Sequence, residues 1–309
     1  MNMKQFAILL LAICMALPGF GQTKTPQQNY KDRYELLVSK LGADGVGIET
    51  LLNRWEADYP DDLDMLLGKF SYYLKKSRST EVKRLNQAKY LGAEPALSLK
   101  DSLGNKVNFF QVTNYDDERF ARATQAIDKA ISLNQHRLDL RFYKISALVG
   151  YEKESPDMAL SALKALIDYQ GSARPKWDYP GVEEDVDKVF SAAIQEYCFT
   201  FFKIASPGSF NAFKELSEKM LDYDPGNAAF RTNLGSYQLV CMKNSKAALK
   251  IYKQVLKKHP DDYAAIKNCV LLARSCKNVK LEKKYLPMLI RVTPDETEKA
   301  SATARLQSL

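Results

Sequence analysis

Two histidines, His136 and His259, are all the imidazole this 309-residue sequence offers, which argues against a multi-histidine metal cage or facial triad. His259 immediately precedes Pro260, and His136 falls in the corresponding turn of an earlier segment. Both read as solvent-facing turn residues, not general bases. Neighbouring carboxylates can share a proton, but Asp61-Asp62 and Asp116-Asp117 stand where helices should begin. Capping and the helix dipole account for them there. The sequence contains no phosphate loop, dinucleotide fingerprint, paired-cysteine zinc spacing or Gly-x-Ser-x-Gly elbow. A carboxylate dyad brought together from distant segments is the one catalytic arrangement left open. No catalytic residue, metal or cofactor is expected.

Cysteine chemistry is equally sparse. Cys14 lies in the leader discussed below, and Cys198, Cys241, Cys269 and Cys276 follow it. Cys269 and Cys276 are seven residues apart on an expected helix, so their Cα atoms should stand about 10 Å apart. That is too far for a disulfide. Four buried free thiols are expected.

Apolar residues make up 46% of the chain and charged residues 27%, a globular composition with a formal charge of +8. Residues 1–21 read as an export signal: Lys4 precedes an apolar run over 6–17, Pro18 breaks it, and Gly19 and Gly21 are small residues before a cleavage point. The run is well short of the ~20 residues that span a bilayer. Ile13 stands where a lipobox preceding Cys14 would carry Gly or Ala, so lipidation is not expected. No later stretch approaches transmembrane length. The mature chain is expected to be soluble, in the periplasm or outside the cell.

What the chain does show is a period. Pro225, Pro260 and Pro294 are 35 and 34 residues apart, and Pro60 has the same surroundings far upstream. Each is followed by a capping or acidic residue, as in Pro225-Gly226-Asn227 and Pro260-Asp261-Asp262. Proline disfavours the helical region for the residue before it, and Asp or Asn just after caps the next helix. Ahead of Pro260 lie Ala248, Tyr252 and Val255 on one helical face, and ahead of Pro60 lie Ile48, Leu52 and Trp55. Ala123, Ile127 and Ala130 repeat that spacing, as do Ala159, Leu163 and Leu166. Gly235, within an expected helix, costs about 1 kcal/mol against Ala and implies that another backbone lies close.

With Leu234, Gly235, Ala248, Tyr252 and Pro260, residues 227–260 resemble the tetratricopeptide repeat. Over 261–294 the resemblance keeps the period, Pro294, Leu286 and Leu289, but places Val270 and Glu282 where the family has Gly and a small Ala. The resemblance implies an all-α solenoid of about six helix hairpins. Helices are expected over 28–41, 45–59, 63–76, 116–133, 137–151, 156–169, 182–204, 209–223, within 227–258 and 261–292, and as a polar cap over 295–307. The chain divides into the signal over 1–21, N-terminal hairpins over 22–171, an irregular repeat over 172–226, and C-terminal repeats over 227–309.

Two insertions break the period. Residues 97–112 alternate in polarity about a turn at 101–105 and should form a small β-hairpin. Residues 171–181 bring Trp177 and Tyr179 into a Pro-rich loop. Phe109, Phe110, Trp177 and Tyr179 either fold back on the helices or face a ligand.

Charge is concentrated: residues 243–291 carry 13 Lys and Arg against three acids. Either this keeps a helix face soluble or it meets an acidic partner. No stacking aromatics accompany the lysines, so nucleic acid is not expected. The repeat resemblance implies a groove lined by the first helix of each hairpin, which assigns Thr232, Ser236, Leu239, Lys267 and Arg274 to partner binding. The function expected is a non-enzymatic scaffold of the cell envelope that holds a peptide or partner protein. The alternative is an enzyme or small-molecule binder with a pocket built by 97–112 and 171–181.

Overall fold

Local signals in the chain set its helix starts. The computed structural model describes residues 25–309, so the export signal expected over 1–21 lies outside the described residues. At each repeat-closing proline the following acid or amide is an N-cap. Asp62 accepts from the Met65 N–H, Asn227 from Ala229, Asp262 from Ala265, and Asp295 from Thr297 and Glu298. Asp116 likewise caps through the Arg119 N–H, so the Asp61-Asp62 and Asp116-Asp117 pairs sit at helix starts.

Among the described residues there are thirteen helices and three strands. Helices α1 (Pro26–Leu41) and α2 (Ile48–Asp58) form the first hairpin. The second is α3 (Leu63–Lys76) and α4 (Asp117–Leu133), separated by β1 (Arg78–Leu85), β2 (Leu97–Lys100) and β3 (Lys106–Tyr115). Then come α5 (Leu138–Tyr151) with α6 (Asp157–Ala173), and α7 (Val186–Ile204) with α8 (Pro207–Tyr223). The last pairs are α9 (Ala228–Val240) with α10 (Ser245–Lys258) and α11 (Tyr263–Ser275) with α12 (Val279–Val292), closed by α13 (Glu296–Gln307). Six hairpins and a terminal helix make this an α-solenoid.

The structure differs from the sequence reading at two places. The insertion is a three-stranded antiparallel sheet of order β1-β3-β2, not a lone hairpin. Its extra strand, RSTEVKRL, is polar and lacks the alternation that marks a half-buried strand. An isolated hairpin is marginal in water, and a third strand supplies the missing pairing. The second difference lies around the other insertion: α6 runs past Gly171 to Ala173 and α7 starts at Val186, not 182, so the irregular loop runs from Arg174 to Asp185. Between β1 and β2 the chain touches the end of α7: a Cβ at Gly92, whose φ is +76°, would lie 2.4 Å from the Lys203 carbonyl oxygen. Only glycine fits there.

The apolar faces meet in two clusters. One runs from Ile48 to Phe230 and contains Trp55, Ile127, Leu138, Leu163 and Phe201. The other is built on Ala248, Tyr252, Ile266, Cys269, Leu286 and Leu289. Burying each such large side chain is worth about 1.5–3 kcal/mol. Gly235 has its close neighbour in the Tyr252 ring, 2.3 Å from where a Cβ would sit. The approach is by a side chain, not by backbone.

Candidate partner-binding surface

The helices α9 and α11 carry the five residues assigned to partner binding, and most face inward. Thr232 is buried, and its hydroxyl has no hydrogen-bond partner. It cannot line an open face, because α9 turns this side toward its neighbours. Ser236 shares a 3.3 Å hydrogen bond with the Tyr252 hydroxyl and accepts one of 3.2 Å from Asn268 Nδ2. It ties α9 to α10 and α11. Leu239 is half-buried against the C-terminal cluster.

Lys267 and Arg274 are half-exposed but engaged. Lys267 Nζ lies 2.8 Å from Glu298 of α13 and donates to the Tyr263 hydroxyl at 2.9 Å. Burial acts to raise the Glu298 pKa, but hydrogen bonds from Lys267, Thr293 and Tyr263 outweigh it and hold the carboxyl at about 2. Arg274 Nε lies 2.7 Å from Glu282 Oε1, and Arg305 of α13 binds both oxygens of the same carboxylate at 2.9 and 3.0 Å. The Arg305 hydrogen bonds lead in lowering the Glu282 pKa against burial, with Arg274 adding to them. Glu282 is thus the buried acceptor of two guanidiniums. The expected acidic ligand is supplied from within the chain.

The insertion aromatics are likewise spent on packing. Phe110 is buried with its ring 6.0 Å from that of Tyr90, and Phe109 is half-buried. Trp177 is buried beside Tyr169 and Arg141, and its indole N–H donates to Gln170 Oε1 at 2.6 Å. Tyr179 packs on Phe142, and burial pushes its hydroxyl up to about 12. His136 and His259 are exposed in turns. Cys198 and Cys269 are buried free thiols, whereas Cys241 is half-buried and Cys276 exposed, which corrects the expectation of four buried sulfurs.

Two clefts stand out among the described residues. The smaller, about 390 Å³, lies among α2, α3 and the start of α4. The Tyr72 and Tyr73 hydroxyls both donate to Glu49 there, at 3.2 and 3.1 Å. Burial, aided by the Glu49 charge, pushes Tyr72 up to about 12, so these phenols stay protonated donors. The larger is an open groove of about 1220 Å³ walled by α6, α7 and α8 and bordered by Arg174 and Pro175 of the second insertion. Its walls are polar and carry both signs of charge, with Asp187, Lys188, Lys219 and Asp222 among them. Gln170 anchors it from below, donating to Asp187 Oδ1 at 2.9 Å and to the Tyr223 hydroxyl at 3.3 Å. The groove takes in Gly171, Ser172, Arg174 and Pro175 of the insertion over 171–181 that the alternative reading made a pocket wall, but none of its other residues was assigned to a site from sequence, because α6, α7 and α8 come together only through packing of α6 on α8. Among the described residues, no group of three or more His, Cys, Asp or Glu is placed to hold a metal ion. No helix there is long and apolar enough to cross a membrane.

No protein-family model matches the sequence, and no curated protein does. Among solved structures the chain is similar to the flexible tandem repeat domain of a bacterial cellulose synthase component. The identity is 15%, the match covers 92% of this chain and 97% of that one, and the TM-score is 0.25. A likeness this distant says nothing about what the groove holds.

Proposed function

We propose that this chain is a non-enzymatic scaffold of the cell envelope that binds an extended polar segment of a partner protein. The observation that carries the reading is the open groove among α6, α7 and α8. At about 1220 Å³ it exceeds the ~300–1,000 Å³ usual for small-molecule sites, and its walls carry charges of both signs beside apolar surface. Such a surface suits a peptide that itself carries both signs of charge. A solenoid supports that role, since stacked hairpins hold an extended surface without large rearrangement. The export-signal pattern read in the sequence of residues 1–21 supports the envelope assignment. The proposed site differs from the residues assigned from sequence on α9 and α11: it spans α6 and the irregular repeat that follows.

Photo-crosslinking amino acids placed at Ser172 and Ser191 of the groove in the living cell test this reading, with a probe at Lys280 as control. A single captured protein, lost on Lys188→Glu with Asp222→Lys, is the expected result. Capture that is equal from all three positions would sink the groove assignment. A small polar molecule retained by the purified protein and lost in Tyr73→Phe would instead favour the smaller cleft.

A further inference from the structure

Strand β1 is an edge of the sheet, and its side chains are exposed along most of its length. The direction of its free backbone groups follows from one bond. Asp116 N–H donates to the Ser77 carbonyl at 2.8 Å, and the register runs Arg78↔Tyr115 through Leu85↔Asn108. Antiparallel residues alternate between bonding to their partner strand and presenting N–H and C=O to the other side. Ser79, Glu81, Lys83 and Leu85 therefore bond to β3, whereas Arg78, Thr80, Val82 and Arg84 turn both groups outward. The far side of β3 agrees, because the Phe109 carbonyl, facing away from β1, accepts from the Ala96 N–H at 2.8 Å.

The chain joining β1 to β2 crosses one face of the sheet: Asn108 Nδ2 donates to the Gln87 carbonyl at 2.8 Å, and Tyr90 packs on Phe110. The other face is exposed along its two outer strands, although Val107 on the central strand is buried. It carries Val82, Leu97 and Leu99, exposed at 64%, 52% and 50%. An unpaired edge beside exposed apolar side chains is a template for another strand.

We propose that β1 pairs antiparallel with β1 of a second copy of this chain, about a two-fold axis at Val82. Hydrogen-bond parity requires outward residues to face outward residues, which leaves few registers. Centring on Glu81 sets Glu81 against Glu81 and Arg78 against Arg84. A ladder centred on Lys83 opposes two lysines, and one centred on Thr80 is shorter and pairs no opposite charges. Only the axis at Val82 places Glu81 opposite Lys83 twice, with Val82 against Val82 and Thr80 against Arg84. The edge is self-complementary in charge, which is what an isologous interface needs. The product is a six-stranded sheet whose apolar faces join at the Val82 pair. This inference is independent of the groove reading.

Sedimentation of the purified protein over a concentration series tests it. A monomer–dimer equilibrium is expected. Lys83→Glu places glutamates opposite one another and should weaken the dimer about tenfold or more. Glu81→Lys with Lys83→Glu together restores opposite pairs and should restore association; because Glu81 and Lys83 also lie 3.5 Å apart within β1, circular dichroism of each variant separates association from folding. Val82→Pro removes an outward N–H without touching the β3 ladder and should abolish dimerisation with circular dichroism unchanged. A wild-type protein that stays monomeric at every concentration overturns the proposal. So does a dimer indifferent to Val82→Pro, or a monomer whose edge holds a co-purifying peptide that Val82→Pro releases.

Discussion

Gly235 and Glu282 show how single positions carry the C-terminal repeats. A methyl group at 235 would stand 2.3 Å from Tyr252 Cε1, inside a cluster where Tyr252 is fully buried. Gly235→Ala should gain helix propensity and still lose about 1–3 kcal/mol to overpacking, read as a lower denaturant midpoint. Glu282 is 2% exposed, while Arg274 and Arg305 keep more than a third of their side-chain surface in water. Removing the acid lets both cations return to solvent, so Glu282→Leu should cost little. Replacing both arginines by Ala strands a buried carboxylate and should cost more than Glu282→Leu does. The same denaturation experiment ranks the two, and the reverse order would show that Glu282 is hydrated. Thiol labelling gives a separate check. Burial pushes Cys198 up to about 12 and Cys269 to about 11. Cys276 should therefore label in the native protein, while Cys198 and Cys269 should label only in denaturant.

At the scale of elements, α13 is held as much by charge as by packing. Ala302 is its only buried residue, and Glu298 and Arg305 carry its ionic contacts. The Glu298 carboxyl sits at about 2 in the fold against an ordinary 4.3. A depressed acid contributes stability above its unfolded pKa and loses it as pH falls toward the folded value. Hydrogen-exchange protection over α13, taken relative to the intrinsic amide rate at each pH, should thus hold above about pH 4.5 and fall progressively toward pH 2. Lys267→Met should move that loss upward in pH; an unchanged profile would mean that Glu298 does not hold the helix. Helix boundaries were legible from sequence because prolines and caps are local signals. Strand β1 was not, since its polar, exposed pattern differs little from a loop, and its pairing with β3 is a contact across many residues.

For the whole molecule, nearest-neighbour stacking predicts that damage stays local. The apolar clusters divide between Phe230 and Ala248, with α9 shared between them. Leu286→Ala should cost about 2–5 kcal/mol where it sits and raise hydrogen exchange across α10, α11 and α12. Protection in α3 to α7 should be nearly unchanged, and a uniform loss would show a single cooperative unit. The second insertion works at the same scale. By standing between α6 and α7 it leaves α6 packed on α8 and opens the groove.

The repeat period, the helix starts and the inward positions such as Ile48, Trp55, Ala248 and Tyr252 were determined by the sequence alone. Each is a statement about residues within a turn or two of one another. Which surface is free was decided only in three dimensions. Lys267 and Arg274 have the right type and spacing to meet an acidic ligand, but Glu298 and Glu282 reach them first. Trp177 and Phe110 have the composition of anchors, but the core takes them up. Spacing along a helix says which residues can share a face; it does not say what another segment has already placed against that face.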